Sequence, residues 1–287
     1  MKTESIIIPI HALHPFEGHP FYVKDDAEME ALVESVREYG ILTPLIVRPR
    51  EGTENEYEVI SGHRRLHAAK RAGILEVPAH VYAVDRDAAA IMLVDSNLHR
   101  EHLLPSEKAF AYKLKLDALK RQGKRTDLTS LQVATKWNAA ARVGAAVNDS
   151  ADKVHRYIRL TNLIPELLNL VDEGRIALTP AVALSYLRDQ EQYDLLETIE
   201  SEDCTPSLSQ AQRMKQISEE DYLTMDAIFR IMTEPKPNQR EKIVFRYDDL
   251  RRFFPNHSTK EIHDTILRLI ESEFQRQQRA RRDRDAR

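Results

Sequence analysis

The sequence predicts an α+β protein, with a small N-terminal α/β domain followed by an all-α helix-turn-helix domain and a mostly helical C-terminal region. Up to about residue 100, short β-prone apolar segments alternate with amphipathic helical segments. Beyond that point the strand pattern disappears, and Pro105 opens a long series of helical segments. The expected domains are therefore 1–100, 101–233 and 240–287, and a chain of 287 residues can build several cores of this size.

Start and stop signals bound each predicted element of the N-terminal domain. The β-prone runs predict strands at 6–10, 41–48, 57–60 and 77–84. Asp25 or Asp26 is expected to cap a helix that ends at Gly40, and a second helix is expected between Gly62 and Gly73. A third is expected from a cap at Asp87 through residue 98. The core face of the first helix is predicted to carry Met29, Leu32, Val33, Val36 and Tyr39.

The remainder reads as consecutive helices separated by short polar or proline-containing breaks. They are predicted at 105–122, 128–137, 139–147, 151–163, 165–173, 179–188, 191–200, 207–216 and 219–232, with a basic loop at 123–126. A linker at 234–239 and a strand at 243–247 are expected next. The pair Ser258 and Glu261 predicts a capping box that opens a helix to about residue 278, ahead of an arginine-rich tail.

Composition restricts the classes of protein to which the chain can belong. Hydrophobic residues make up 42% and charged residues 31% of the chain, which is typical of a folded protein with solvated helix faces. No run approaches the roughly 18 apolar residues of a membrane span, and the N-terminus lacks a signal-peptide layout. Cys204 is the single cysteine, which excludes an intramolecular disulfide and a cysteine-cluster zinc site. We expect a cytoplasmic protein without a membrane partner.

Charge is distributed unevenly along the chain. The net charge is -4, but residues 100–159 hold 13 basic and 6 acidic residues, a net of +7. Residues 161–239 hold 6 basic and 15 acidic residues, a net of -9. A basic middle segment is the part that could meet a nucleic-acid backbone, whereas the acidic segment should face solvent or a protein partner.

A glycine turn at residues 61–65 predicts an anion site. Gly62 follows a short strand and precedes a helix, so free backbone N–H groups of the helix start converge there. Arg64 and Arg65 add positive charge and bidentate donors that suit a phosphate. The alternative is an ordinary strand-to-helix connection with solvated arginines.

A second candidate element lies at residues 95–101. Asn97 and Arg100 are three residues apart and can point the same way, so an amide oxygen could reach Mg²⁺ while a guanidinium holds a triphosphate. The alternative is a helix C-terminus whose polar side chains satisfy the last carbonyls.

Residues 139–163 have the layout of two helices joined by a polar turn. On the second helix, Ser150 or Asp149 can cap the N-terminus, and the polar face would carry the candidate DNA-contacting residues Ser150, Lys153, His155, Arg156 and Arg159. A polar, basic face of this kind is what a recognition helix presents to the major groove. Lys113, Lys115, Lys120, Arg121, Lys124 and Arg125 could contact backbone phosphates. The alternative is an amphipathic helix with a solvated basic face.

Taken together, these elements resemble the ParB family of partition proteins. The resemblance is carried by residues 40–48 (GILTPLIVR), 61–73 (SGHRRLHAAKRAG) and 95–101 (DSNLHRE) followed by 104–109 (LPSEKA), and it covers about two thirds of the chain. It implies an N-terminal domain that binds CTP with Mg²⁺, a helix-turn-helix that binds double-stranded DNA, and a homodimer that closes as a clamp. The family motif that matches residues 40–48 lies near the nucleotide and would contribute Thr43. The phosphates would be held by Gly62, His63, Arg64 and Arg65. Asn97 would support the metal, and Arg100 and Glu101 would lie at the triphosphate.

The sequence departs from the family pattern at two positions. The family usually has glutamate where His63 and Ser96 stand, so CTP hydrolysis is expected to be weak or absent. Plasmid or chromosome partition, with a ParA-type ATPase as a partner and a location on the nucleoid or plasmid, is the leading hypothesis. The alternatives are a transcriptional regulator without nucleotide gating and an enzyme on the same fold, namely a ParB-like nuclease.

Overall fold

The computed structural model describes residues 5–100, 102–126, 132–234, 253–254 and 258–285, with side chains left undescribed at 123–138, at 259, 260 and 273, and beyond 276. The chain divides into two compact units, Met1–Glu234 and Pro235–Arg287. No helix in these ranges is long and apolar enough to cross a bilayer.

A five-stranded mixed sheet forms the centre of the N-terminal part. Its strands are β1 (Ser5–Pro9), β2 (Leu13–Pro15), β3 (Leu45–Pro49), β4 (Tyr57–Ser61) and β5 (Glu76–Val81), in the order β1-β5-β3-β4-β2. The β1–β5 and β3–β4 pairs are antiparallel, whereas β3–β5 and β2–β4 are parallel. On β3 and β4, Arg48 lies opposite Glu58 and the two side chains form a buried ion pair. The predicted strand at 41–48 begins only after Pro44, because proline has no N–H for the ladder.

Three helices accompany the sheet: α1 (Ala27–Tyr39), α2 (His63–Ala72) and α3 (Arg86–Asn97). Asp26 caps α1, and glycines end both α1 and α2 as predicted. Tyr39 is 62% exposed, so its predicted place on the core face is wrong. The cap of α3 is Asp85 and not Asp87, since the Asp85 carboxylate accepts a hydrogen bond from Ala88 N at 2.8 Å. Asp87 is buried instead and pairs with Arg121 at 2.7 Å.

The rest of the first unit is helical. Its helices are α4 (Pro105–Thr126), α5 (Gln132–Ala145), α6 (Ala151–Arg159), α7 (Pro165–Asp172), α8 (Leu178–Leu184), α9 (Asp189–Glu202), α10 (Leu208–Glu220) and α11 (Met225–Thr233). A 3-10 turn, Leu160–Asn162, follows α6 directly. In the second unit, α12 spans Thr259–Asp285, and Ser258 and Glu261 form the predicted hydrogen bonds at its start.

Several predicted breaks are absent or displaced. The segment expected to be a basic loop, 123–126, continues α4, because a glycine inside a helix costs only about 1 kcal/mol and packing can outweigh it. The two helices predicted on either side of residue 138 are one helix, α5. The helix predicted at 151–163 ends at Arg159. The helix predicted at 219–232 is divided between α10 and α11, where Thr224 caps the second. The predicted linker beyond residue 234 and the strand at 243–247 lie outside the described residues.

Buried apolar side chains form three clusters. A sheet cluster lies between the strands and α1 and α2, and a helical cluster joins α7 to α11. The third, which we call the bridging cluster, joins Ile60 and Leu93 of the N-terminal part to Tyr112 of α4 and Val154 of α6. The sheet-containing part and the predicted helix-turn-helix therefore share one core.

Candidate functional site

The glycine turn forms as the sequence predicts, and its backbone requires glycine. Gly62 has φ +106° and lies directly before α2, in the left-handed region that side chains disfavour. A Cβ at this position would overlap the Leu45 side chain. The start of α2 therefore lies very close to β3, and its first turn contains no acidic residue.

Arg65 fastens this turn to the segment that precedes β3. Its guanidinium donates to the carbonyl oxygens of Thr43 and Pro44, the latter at 2.9 Å. Burial lowers the pKa of Arg65. Two of the predicted nucleotide residues, Thr43 and Arg65, are thus in contact, and Arg65 acts in this structure by shaping the turn.

His63 lies in a group of aromatic rings and cations that was not predicted from the sequence. Its imidazole stacks on His19, with ring centroids 3.7 Å apart, and the ring of Phe21 meets His19 edge-on. The guanidinium of Arg100 lies 5.6 Å from the centre of the Phe21 ring. Predicted residues from two separate motifs, His63 and Arg100, therefore approach one another around the 16–21 loop.

Both histidines of this group are neutral at ordinary pH. Burial lowers the pKa of His63 to about 3, and the neighbouring His19 and Arg100 lower it further in the same direction. Burial also lowers the pKa of His19 to about 4. In the described part of the chain, Nε2 of His63 is buried without a hydrogen-bond partner. A neutral imidazole has one N–H, and in His63 the Val59 backbone engages it, so the buried Nε2 is an unpaired acceptor that a phosphate oxygen does not satisfy. The groups here that suit an anion are the arginines.

Arg64 is held at the edge of the same region by acidic groups of α1. It pairs with Glu28 at 3.2 Å and with Asp26 at 3.8 Å, and its side chain is about one-third exposed. Burial lowers the pKa of Arg100, and the charge of Arg64 adds to that effect although Glu107 opposes it. The two guanidinium groups are therefore close enough to repel each other, and an anion between them would relieve that repulsion.

Asn97 is buried and faces its own helix. Its side-chain nitrogen donates to the Leu93 carbonyl at 2.8 Å and to Ser96 Oγ at 3.2 Å. Ser96 itself donates to the Leu93 carbonyl. For Mg²⁺ the described part of this motif thus offers the neutral amide oxygen of Asn97, while its carboxylate, Asp95, is paired with Lys115 at 2.6 Å. The described residues contain no group of three histidine, cysteine or acidic side chains that could hold a metal. Glu101 lies outside the described residues.

The predicted DNA-contacting surface begins at a tightly built turn between α5 and α6. Ser150 caps α6 and accepts from Lys153 N at 3.2 Å. A Cβ on Gly144 would overlap the Asp149 carbonyl oxygen, so the last turn of α5 must be free of a side chain there.

Asp149, just before the cap, is the centre of a buried polar network. Its carboxylate accepts from Tyr112 Oη at 2.5 Å and pairs with Lys108 and Lys153 at 2.7 Å each. Burial alone would raise the pKa of Asp149, but the bonds from Lys108, Lys153 and Tyr112 outweigh it and lower the pKa to about 2. This network fixes α6 on α4.

The basic side chains of α6 differ in their solvent exposure and in their contacts. His155 and Arg156 are exposed, although Arg156 also donates to Thr179 Oγ1 at 2.5 Å. Arg159 is half-buried: it lies 3.8 Å from the centre of the Tyr186 ring and donates to the Ser185 carbonyl at 3.0 Å. The exposed face that the spacing predicted thus ends at Arg156, and Arg159 turns toward α8.

Several residues of these sites were not predicted from the sequence. His19 and Phe21 come from an irregular loop, Asp149 was considered only as a cap, and Tyr186 lies in a segment whose composition is acidic. Periodicity carries no signal for such residues, because their positions depend on contacts between distant elements.

Comparisons with known proteins agree on the family. Residues 1–98 match the model of the ParB N-terminal domain. The chain is 30% identical over 237 residues to a nucleoid occlusion protein of Bacillus cereus, covering 82% of this chain and 70% of the relative. It is 35% identical over 185 residues, or 64% of this chain, to the chromosome-partitioning protein Spo0J of Thermus thermophilus. It is also 31% identical over 191 residues, or 67% of this chain, to a probable chromosome-partitioning protein ParB of Coxiella burnetii. The chain spans 61% of the Thermus protein and 59% of the Coxiella protein.

Among solved structures, the chain is similar to the truncated chromosome-partitioning protein ParB of Caulobacter crescentus. The form complexed to the centromeric parS site superposes with a TM-score of 0.41 at 24% identity, over 74% of this chain and 99% of that one. The form complexed with CTP-gamma-S superposes with a TM-score of 0.32 at 27% identity, over 69% of this chain and 99% of that one. Both superpositions are partial.

Proposed function

This chain belongs to the ParB family of partition proteins, and on that premise we propose that it binds double-stranded DNA through α6 and CTP through the start of α2. Nucleotide binding would close a homodimer around DNA and so serve the partition of a chromosome or plasmid. The relatives' names, chromosome-partitioning and nucleoid occlusion proteins, support a role on the nucleoid.

One observation carries the nucleotide part of the proposal. Arg100, three residues after the end of α3, lies near His63 and Arg64 at the start of α2, whose first turn contains no acidic residue and whose N-cap makes no side-chain hydrogen bond. A helix N-terminus and two guanidinium groups are the features that bind a triphosphate.

The DNA part rests on the α5–α6 pair. The exposed face at the start of α6 carries Ser150, Lys153, His155 and Arg156, residue types that contact phosphates and base edges. The Asp149 network holds this helix in one orientation on α4. A ParA-type ATPase is the expected protein partner, by analogy with the family.

The described residues fit the phosphates of a nucleotide better than they fit a protein-held metal. Mg²⁺ would be bound chiefly by the phosphates and water, with Asn97 as the one candidate oxygen from the protein among the described residues. The glutamates expected at positions 63 and 96 are replaced by His63 and Ser96. We therefore propose nucleotide binding as the function of this site and assign no hydrolytic step to it.

Calorimetric titration of the full chain with CTP, and separately with ATP, GTP and UTP, tests the nucleotide part. Arg100→Gln should lower CTP affinity at least about tenfold, because a charged hydrogen bond contributes roughly 1.5–3 kcal/mol. Arg71→Gln is the matched control, since Arg71 lies at the far end of α2 and pairs with Asp25 and Glu30. CTP affinity in that variant should stay within about twofold of the parent.

The DNA part is tested by selecting duplexes that bind from a random library. Recovery of a defined sequence, whose retention on closed circular DNA increases with CTP, supports the clamp. Failure of every nucleotide to bind would remove the gating, and failure to bind any duplex would remove the DNA role. Cleavage of supercoiled plasmid in Mg²⁺ or Mn²⁺ would favour the nuclease alternative.

A further inference from the structure

A cleft beside α6 is lined by basic, polar and apolar side chains, and none of the described residues that line it is acidic. It has a volume of about 390 Å³ and lies where α4, the end of α6, the 3-10 turn and α8 meet. Hydroxyl, amide and aromatic groups line part of it. The basic side chains that line it are Lys113, His155, Arg156 and Arg159.

These cations are not neutralised by neighbours. Among the described residues, Lys113, Arg156 and Arg159 form no ion pair, whereas Lys115 pairs with Asp95 and Lys153 with Asp149. Like charges gathered without counter-charges repel one another. An anion in the cleft would remove this repulsion.

The walls of the cleft are already fixed in place. Arg159 stacks on Tyr186, and Lys215 lies 3.7 Å from the centre of the same ring. In the described part of the chain, the Nε of Arg159 is buried and has no hydrogen-bond partner. The Tyr186 ring holds Arg159 at the wall of the cleft, while Lys215 is also paired with Glu219 at 3.6 Å. A cation that is already placed loses little conformational entropy when a ligand binds.

Two other cations are positioned at the cleft by neutral groups. Arg156 donates to Thr179 Oγ1 at 2.5 Å, and Lys113 donates to Thr161 Oγ1 at 3.3 Å. A hydroxyl partner orients the cation but leaves its charge intact. Both side chains thus remain able to bind a phosphate oxygen.

We propose that this cleft binds a phosphodiester of the DNA backbone next to the recognition helix. Lys113 and Arg156 contact the phosphate, while Arg159 and Tyr186 form the wall and position the site. The inference rests on the proposed DNA binding and adds to it a site contributed by α4 and α8. Because a phosphate contact sets the register of a protein on the duplex, the cleft determines how α6 enters the groove.

The test compares binding of the full-length protein to a fluorescent duplex of mixed sequence over a range of salt concentrations. Lys113→Gln and Arg156→Gln should each weaken binding roughly threefold to tenfold and lower the slope of log affinity against log salt by about 1. Arg213→Gln is the matched control, because Arg213 lies in the same helical part but is paired with Glu234 at 2.7 Å. Its affinity and slope should equal those of the parent protein.

The possible outcomes separate this inference from the proposed function. If the parent protein binds no duplex, the proposed function fails. If the parent binds but both cleft variants keep its affinity and salt slope, the cleft inference fails and the DNA role of α6 stands. Loss of CTP affinity in Lys113→Gln, with duplex binding intact, would assign the cleft to a free nucleotide and overturn the proposal. Circular dichroism confirms that each variant is folded.

Discussion

At the scale of the residue, the candidate nucleotide site depends on positions where one side chain, or its absence, decides the geometry. Gly62 allows α2 to start against β3, and Arg65 ties that start to the carbonyls of Thr43 and Pro44. His63 stands where a glutamate was expected, and it is packed on His19 instead of projecting into solvent. A neutral ring at this point, unlike the expected glutamate, adds no negative charge beside Arg100, which favours an anion.

Gly62→Ala should destabilise the protein more than the replacement of a glycine that has a positive φ but open space around it. The positive φ alone costs about 1 kcal/mol, and the overlap with Leu45 adds to it, so we expect roughly 2–4 kcal/mol in chemical denaturation. Gly174→Ala is the matched control, because Gly174 has φ +75° with open space around it. Equal losses in the two variants would show that the contact with β3 is unimportant.

The two stacked histidines should make stability depend on pH. Both titrate near 6.5 when unfolded, but burial lowers the pKa to about 3 for His63 and about 4 for His19 in the folded state. Above pH 6.5 they are neutral in both states and contribute nothing. Below it, the unfolded chain takes up protons first, so the free energy of unfolding falls, by the order of 1–2 kcal/mol per histidine at pH 5.

Denaturant titrations between pH 5 and pH 8 measure this dependence. His63→Gln should flatten it by about half, because one of the two buried histidines is removed. A parent curve without loss of stability toward pH 5 would contradict the buried, neutral state of the pair.

At the scale of the element, the α5–α6 pair is held by its turn as much as by its apolar face. Gly144 permits the close approach of the turn, Ser150 caps α6, and Asp149 joins α6 to α4 through Tyr112 and Lys108. On the other side, Arg159 fastens the end of α6 to α8. The orientation of α6 is therefore set by its neighbours.

Asp149→Asn should destabilise the protein by about 2–3 kcal/mol and weaken DNA binding. The change leaves Lys108 without its buried counter-charge, although the partly exposed Lys153 can be solvated, which limits the loss. Thermal unfolding and duplex binding give the two readouts. Asp152→Asn, an exposed position on the same helix, serves as the control and should change stability by less than about 0.5 kcal/mol. A stable Asp149→Asn protein with unchanged DNA affinity would show that the network does not position α6.

At the scale of the whole molecule, α4 joins the two candidate sites. At its start, Glu107 accepts from Tyr22 N at 2.8 Å, next to the loop that carries Phe21, while the adjacent Lys108 reaches Asp149. Farther along the same helix, Tyr112 belongs to the bridging cluster. The nucleotide region and α6 thus contact successive residues of one helix, within one core.

This shared core predicts how fragments of the chain behave. The described residues of the three apolar clusters all lie between Ile8 and Met232, so a 1–234 fragment should unfold in one cooperative transition close to that of the full chain. A 1–100 fragment should fail to fold cooperatively, because Leu93 and Leu98 lose Tyr112 and Leu116. Calorimetry of the two fragments measures this. Two independent transitions in the 1–234 fragment would contradict the shared core.

The sequence by itself determined the fold class, the strand–glycine–helix motif and the position of α6, because these follow from local signals. A glycine with free φ, an apolar repeat and a Ser cap act within a few residues of themselves. The ends of α2 and the caps at Asp26 and Ser150 were predictable for that reason.

Only the tertiary structure decided which of these residues meet. It placed Arg100 and His19 beside His63, turned Arg159 away from the exposed face onto Tyr186, and buried Asp149 among Lys108, Lys153 and Tyr112. It also contains a continuous helix at each of the breaks expected near Gly123 and residue 138, where the local cost of a helix is small. Apart from the Asp149–Lys153 pair, which spans four positions, such pairings join residues 20 to 45 positions apart, about which a periodic pattern in the sequence carries no information.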